Sequence, residues 1–180
     1  MNEYLDIKIL PSADIDDNVI LSMVFSKAHI ALVELKSNTI GFSFPNLDKK
    51  PGNILRVHGS KESLNSFLEV ENFQGMSDFV RVSEIQAIPQ EHGYVNLKRV
   101  QVNLSAAQVR RLIKRGSLTE EQSEEILSKP KTLQQPFIQL KSFSTGQRYK
   151  LFFEQIKTNN SVEGSFNSFG FGSGATVPFF

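Results

Sequence analysis

The chain has 180 residues, 39% hydrophobic and 22% charged, with a formal net charge of +1. This supplies apolar residues for one packed domain or two small ones, and excludes a chain that is basic or acidic throughout. There is no cysteine, which excludes disulfides, a cysteine-type zinc site and a thiol nucleophile.

Residues Tyr4–Leu10 alternate like a strand, and Pro11 closes it. From Asp17 to Lys36, Leu21, Val24, Phe25, Ala28, Leu32 and Leu35 recur at helical spacing. Ile40–Phe44 and Ile54–His58 read as short strands. Lys61–Leu68 reads as a short amphipathic helix with Ser60 as its cap, and Phe79–Ile88 as a fourth strand region. The order β-α-β-β-α-β is that of a ferredoxin-like fold, a fold that hosts many activities.

The second half differs. Lys98–Val102 is extended and leads into a short helix. Between Lys98 and Arg115 there are six Lys or Arg and no Asp or Glu. At roughly 100° per residue, Arg110, Arg111, Lys114 and Arg115 fall within an arc of about 140°. Val109, Leu112, Ile113 and Ala106 fall opposite, so the helix can pack its apolar side and hold its basic side outward. Ser105 suits its N-cap and Gly116 its C-terminal stop. A local basic face on a near-neutral chain points to a polyanion as partner. The competing reading is an ordinary solvated face at a helix C-terminus.

A second helix, Thr119–Lys129, opens with a Thr-x-x-Gln capping box at Thr119 and Gln122. Glu120 and Glu121 suit the N-terminal end of its dipole, and Pro130 ends it. Phe137–Lys141 and Gln147–Gln155 read as a β-hairpin around Ser144-Thr145-Gly146. The closing segment is rich in Gly and Phe. Its rings need burial, so it is expected to be ordered, with Thr176-Val177-Pro178 as an edge strand. The expected architecture is α+β. A ferredoxin-like domain spans 1–93, and a second α+β domain, carrying the arginine-rich helix and the hairpin, spans 94–180.

The toolkit for chemistry is small. His58 lies in a strand and reads as structural. His92 lies in a loop. His29 lies at the margin of the first helix's apolar face, where histidine is more often packed than catalytic. No His, Asp or Glu grouping has metal-ligand spacing, and there is no P-loop or Gly-x-Ser-x-Gly. No metal and no cofactor is expected. One reaction suits such a set. RNA carries its own nucleophile, the 2′-OH, so a protein need only align it with the adjacent phosphorus and move protons. Histidine suits that transfer near neutral pH. The start is acidic without a signal-peptide pattern, and no apolar run approaches the roughly 18 residues of a membrane span. A soluble cytoplasmic protein without membrane contact is expected.

Several blocks have a common source of likeness: Tyr4-Leu-Asp-Ile, Val24-Phe-Ser-Lys-Ala-His29-Ile-Ala-Leu-Val, Ile40-Gly-Phe-Ser-Phe-Pro-Asn-Leu-Asp, Arg99-Val-Gln, Leu140-Lys-Ser-Phe-Ser-Thr-Gly-Gln147, and the closing Phe-Gly-Phe-Gly-Ser-Gly-Ala-Thr-Val-Pro-Phe-Phe. In this order and spacing the chain resembles the Cas6f (Csy4-type) CRISPR RNA-processing endoribonucleases of type I-F systems, over nearly its whole length. The resemblance implies binding of a CRISPR repeat hairpin in precursor RNA. It implies metal-independent cleavage at the 3′ base of the stem by 2′-OH attack, leaving a 2′,3′-cyclic phosphate. It also implies retention on the product, with other type I-F Cas subunits as partners in a surveillance complex.

The resemblance places the catalytic histidine at His29 and the ribose-positioning serine at Ser142. It places cleavage-site neighbours at Ser144 and Thr145, base readers at Arg99 and Gln101, and a stacking aromatic at Tyr149. It places the phosphate-gripping helix at Arg110, Arg111, Lys114 and Arg115, and adds Asn103 and Gln147 to the RNA-binding set. Arg suits guanine and Gln suits adenine in bidentate readout. The alternative for Tyr149 is a core aromatic of the hairpin. The chain departs from the family pattern at Phe169, where an active-site tyrosine is usual. The ring is kept and the hydroxyl is lost, with Ser168 as a candidate substitute hydroxyl. Lys114 offers a point charge where a planar guanidinium fork is usual. Two other readings remain: a weakly active or inactive hairpin-binding subunit that caps a crRNA complex, and a protein-interaction scaffold.

Overall fold

The computed structural model describes residues 1–100, 106–128, 133–142 and 145–180, and only the main chain of 106–108 and 125–128. In chain order the elements are β1 (Glu3–Ile9), α1 (Asp17–Glu34), β2 (Gly41–Ser43), β3 (Ile54–Gly59), α2 (Lys61–Val70), β4 (Val80–Val82), β5 (Gln86–Ala87), β6 (Gly93–Val100), α3 (Ala106–Lys114), α4 (Glu120–Ser128), β7 (Phe137–Lys141), β8 (Arg148–Thr158) and β9 (Val177–Phe179). The protein is α+β.

The first sheet has the order β2-β3-β1-β4, antiparallel throughout, with β5 also paired to β1. With α1 after β1 and α2 after β3, this is the ferredoxin-like arrangement. Asp16 caps α1 by accepting from the Asn18 N–H at 2.8 Å, and Ile20, Leu21, Val24, Phe25, Ala28, Ala31 and Leu32 are buried. α1 stops at Glu34 rather than Lys36 because Lys36 turns left-handed, at φ +49°. The Ser37 N–H then reaches back to Leu32 O at 3.1 Å, which closes the helix end. Ser60 and Ser63 cap α2 reciprocally, and α2 runs two residues past the expected Leu68.

The fourth strand region is not continuous. β4 pairs with Ile7–Ile9 of β1 and β5 with Glu3–Tyr4. Between them the Ser83 hydroxyl oxygen takes the Asp6 N–H at 2.9 Å. The Ser83 N–H still donates to Asp6 O at 2.9 Å, but a side chain replaces the return bond of that pair, so the edge is interrupted.

The second sheet has the order β7-β8-β6-β9, also antiparallel. β8 extends to Thr158, beyond the expected Gln155, because β6 offers it a partner as far as Tyr94. β9 is an edge strand, where Pro178 removes no ladder hydrogen bond. The Gly-Phe segment is ordered as expected: Phe166, Phe171, Ala175 and Val177 are buried.

One buried cluster joins the two sheets. Leu5, Ile7, Phe25, Phe42 and Phe44 meet Leu97, Ile138, Leu151, Phe153 and Phe171 within it. Phe44 stacks on Phe153 at 4.7 Å between centroids. Gln155 of β8 acts as a strand partner, accepting from Phe44 N–H at 2.8 Å and donating to Phe44 O at 3.1 Å. A smaller cluster of Val95, Phe166, Ala175 and Val177 covers β2 from the other side. A Cβ on Gly41 would lie 2.5 Å from a Val177 methyl and 2.6 Å from the Phe166 ring, so that approach requires glycine. Among the described residues no helix is long and apolar enough to cross a membrane.

Candidate active site and nucleic-acid interface

His29 and Ser22 stand seven residues apart on α1, about two turns, so they share a face. The Ser22 hydroxyl accepts from the Gln139 N–H of β7 at 3.1 Å, which sets that face beside the second sheet. The His29 ring is half-buried. Its Nδ1 lies 2.6 Å from the carbonyl oxygen of Ser168. A carbonyl can only accept, so Nδ1 carries the proton and donates. In the neutral ring Nε2 is then the unprotonated nitrogen.

The ring is also stacked on Phe169, at 4.1 Å and 7° between planes. Phe169 is in turn nearly parallel to Phe25, at 6.4 Å and 11°. The imidazole therefore has one fixed tautomer and a fixed plane. The structure brings together His29 and Phe169, two of the three residues expected at a catalytic centre. It adds a contact that the sequence reading did not assign: Ser168 serves through its main-chain carbonyl.

A turn at residues 167–170 presents both groups. The Gly170 N–H bonds back to Asn167 O at 2.8 Å, and the Asn167 side-chain oxygen accepts from Phe169 N–H at 2.9 Å and Phe171 N–H at 3.2 Å. Asn-x-x-Gly is a turn signature, and it was the signal available for this element. Gly170 has φ +68°, and a Cβ there would lie 2.5 Å from the Phe42 ring. The Phe42 N–H donates to Gly170 O at 3.0 Å. The turn is thus bolted to β2, and the Ser168 carbonyl cannot drift from His29 without breaking it.

Ser142 follows β7. Its N–H donates to Gln147 O at 2.8 Å and its carbonyl accepts from Gly146 N–H at 2.8 Å. Its hydroxyl oxygen takes the Thr145 N–H at 3.3 Å. Gly146 supplies the positive φ, +69°, that this tight loop needs. Thr145 and Gln147 are exposed on the loop. Tyr149 faces Leu140 across the hairpin, half-buried and packed against the main core. Its ring is part core and part surface. Ser144 lies outside the described residues.

Arg99 is exposed near the end of β6, opposite Phe153 of β8. Its neighbour Lys98 pairs with Glu154 at 2.8 Å. Gln101, Asn103 and the cap residue Ser105 lie outside the described residues, as do Lys129 and Pro130. On α3, Val109 is buried while Arg110, Arg111, Lys114 and Arg115 are exposed. The helix ends as its sequence requires. Gly116 takes φ +71°, with Gly116 N–H on Ile113 O at 2.9 Å and Ser117 N–H on Leu112 O at 3.0 Å. The Thr119–Gln122 capping box forms, at 3.1 and 3.3 Å. It starts α4 three residues after that stop.

The other histidines stand apart from this site. His92 holds Pro89 O through Nδ1 at 2.7 Å. His58 is fully buried in β3, with Nε2 2.8 Å from the Ser43 hydroxyl and no partner for Nδ1. Burial, with the Arg56 charge beside it, lowers its pKa from 6.5 to about 3. His58 is a neutral core residue, in keeping with the structural role expected for it. Among the described residues no three His, Asp or Glu side chains gather as a metal site would require.

The chain is similar to known proteins along its length. The family model described as CRISPR-associated protein (Cas_Csy4) matches residues 4–180. A CRISPR-associated endonuclease Cas6/Csy4 of Escherichia coli (strain UTI89 / UPEC) is 34% identical over 185 residues, covering all of both chains. A CRISPR-associated endonuclease Cas6/Csy4 of Pseudomonas aeruginosa (strain UCBPP-PA14) is 33% identical over 187 residues, again covering all of both. With a ferredoxin-like sheet, a histidine fixed by a C-terminal Gly-Phe turn and a match along its whole length, the chain belongs to the Cas_Csy4 family of CRISPR-associated proteins.

Proposed function

We propose that this protein is a metal-independent endoribonuclease that binds the hairpin of a CRISPR repeat in precursor RNA and cuts at the 3′ base of its stem. The observation that carries the reading is the locked imidazole of His29. Nδ1–H is committed to Ser168 O at 2.6 Å, so Nε2 presents its lone pair to a substrate. In the reaction, Nε2 takes the proton of the ribose 2′-OH. The 2′-oxygen bonds to the adjacent phosphorus, and the bond from phosphorus to the 5′-oxygen breaks. The departing oxygen takes a proton from solvent, and the product end is a 2′,3′-cyclic phosphate. Ser142 positions the ribose. Ser144, Thr145 and Gln147 line the cut. Phe169 is a positioning residue that acts through the His29 ring.

The stem is held by the other residues. Arg110, Arg111, Lys114 and Arg115 follow phosphates, and Arg99, Gln101 and Asn103 address bases near the stem end. Tyr149 caps the last pair. The protein stays on its product and joins other type I-F Cas subunits. A second reading, a hairpin-binding subunit with little or no cleavage, is favoured by one observation: the ring on His29 is Phe169, without a hydroxyl.

The test is incubation of repeat hairpin RNA with the protein in EDTA. Cleavage with a cyclic-phosphate end, blocked by a single 2′-deoxyribose at the cut site, is the expected result. Binding without cleavage selects the second reading, and no binding at low salt removes both.

A further inference from the structure

The first half of α1 lies beside the loop end of the β7–β8 hairpin. Lys141 and Arg148 are directly opposite each other, the last pair of the ladder before the loop. Both are exposed. Like charges at facing positions are destabilising. Among the described residues no ion pair or side-chain hydrogen bond offsets either charge. Such a pair is tolerated at little cost when an anion lies across it.

A groove of about 340 Å³ opens between these two cations and α1, near the lower end of small-ligand pockets, about 300–1,000 Å³. Its far wall is Val19 and Met23, apolar side chains that are 52% and 50% exposed. Ser22 and Gln139 supply polar groups between the two walls. Phe137 continues the outer face of β7 two positions beyond Gln139, with the Lys150 ammonium 4.3 Å from its ring centroid. No Asp or Glu lines the groove. Cations along one side and apolar or aromatic surfaces along the other are what an unpaired nucleotide chain requires, phosphates on the charges and bases on the flat surfaces.

We propose that this groove is a second RNA subsite. It takes a single-stranded segment flanking the hairpin, with backbone phosphates on Lys141 and Arg148 and a base against Val19 and Met23. The proposal rests on the endoribonuclease reading, and it adds the unpaired flank to the paired stem as part of the recognised substrate. Charge complementarity and the position of the two cations beside the Ser142–Gln147 loop favour RNA over a protein helix as occupant.

The test uses a fluorescein-labelled eight-nucleotide uridine RNA with a 4-thiouridine at its centre, alongside the repeat hairpin without flanks. Anisotropy should show salt-dependent binding of the octamer, weakened about fivefold or more by Lys141→Gln with Arg148→Gln. The double variant should also lower the salt slope by about 1.4, the loss of two phosphate contacts on a single strand. Crosslinks should map to residues 18–27 and 137–150. Met23→Glu, a surface change on α1, should weaken octamer binding without changing the circular dichroism spectrum. An octamer affinity unchanged by these variants, or crosslinks confined to α3, overturns the subsite. If the hairpin binds but the octamer does not, the subsite is overturned and the endoribonuclease reading stands. If the octamer binds and the hairpin is neither bound nor cut, the endoribonuclease reading fails, and with it the flank assignment.

Discussion

His29 and His58 show how the same side chain is put to different uses by its surroundings. His29 has one nitrogen held by Ser168 O and its ring held by Phe169. Phe169→Leu removes the stacked plane and keeps the apolar volume, so its cost should fall on cleavage rather than binding. We expect single-turnover cleavage of the repeat hairpin to slow about tenfold or more, as misplaced catalytic groups do, with Kd within a few-fold of the parent. Phe169→Tyr should cleave at least as fast as the parent. A Leu variant that cuts at the parental rate would show that the stack does not orient the imidazole. His58 is neutral, with its pKa lowered to about 3 by burial and by Arg56. Below pH 6.5 the unfolded chain binds a proton there that the folded chain does not. Stability is therefore lost as pH falls from 6.5 toward 3, by up to about 1.4 kcal/mol per pH unit from this group. Urea unfolding at pH 7, 6 and 5 should show that slope, and His58→Gln should flatten it.

At the scale of elements, α3 and the 167–170 turn divide the work in the proposed function. α3 holds its cations outward because Val109 is buried on the opposite side and Gly116 stops the helix after Arg115. If it grips stem phosphates, Arg111→Ala with Arg115→Ala should lower the salt slope of hairpin binding by about 2. The rate of cleavage at saturating protein should change little. An unchanged slope would remove α3 from the phosphate contacts. The turn is tested by Gly170→Ala, which puts a methyl 2.5 Å from the Phe42 ring at a positive φ. It should lower both cleavage and thermal stability, because the turn carries Ser168 O and Phe169 together. These elements were legible to different degrees. Helix ends were readable because caps are local: Thr119 with Gln122, Ser60, Gly116. The interrupted fourth strand was not, because it depends on the Ser83 hydroxyl meeting Asp6 across the sheet. The turn had a readable Asn-x-x-Gly, but nothing local says that its carbonyl meets a helix 139 residues away in sequence.

For the whole molecule, the two sheets share a core, and the Gly-Phe segment covers the first sheet while adding β9 to the second. Gln155 is the polar joint between the sheets. Gln155→Ala should leave the main-chain N–H of Phe44, a fully buried residue, without a partner and its carbonyl with the Leu47 N–H alone. The expected loss is about 1–3 kcal/mol of unfolding free energy, read by denaturant titration. A smaller loss would mean that the sheets are joined by the aromatic contacts alone. The same packing places the His29 site, built from the first helix and the last fifteen residues. The geometry at His29 and the joint between sheets are therefore parts of one structure, and loosening either should be felt at the other.

The sequence by itself determined the helices, most strands, the ferredoxin-like order and the basic face of α3. Hydrophobic period and capping act within a few residues. Residue types also determined the available chemistry: three histidines, no cysteine and many hydroxyls. Only the tertiary structure decided which histidine has a free, oriented nitrogen and which is sealed neutral in the core. It also decided that the Ser168 carbonyl meets His29, and that among the described residues Lys141 and Arg148 face a groove without a counter-charge. Those outcomes depend on contacts between separate elements, for His29 and Ser168 139 residues apart, and no local pattern encodes such distances.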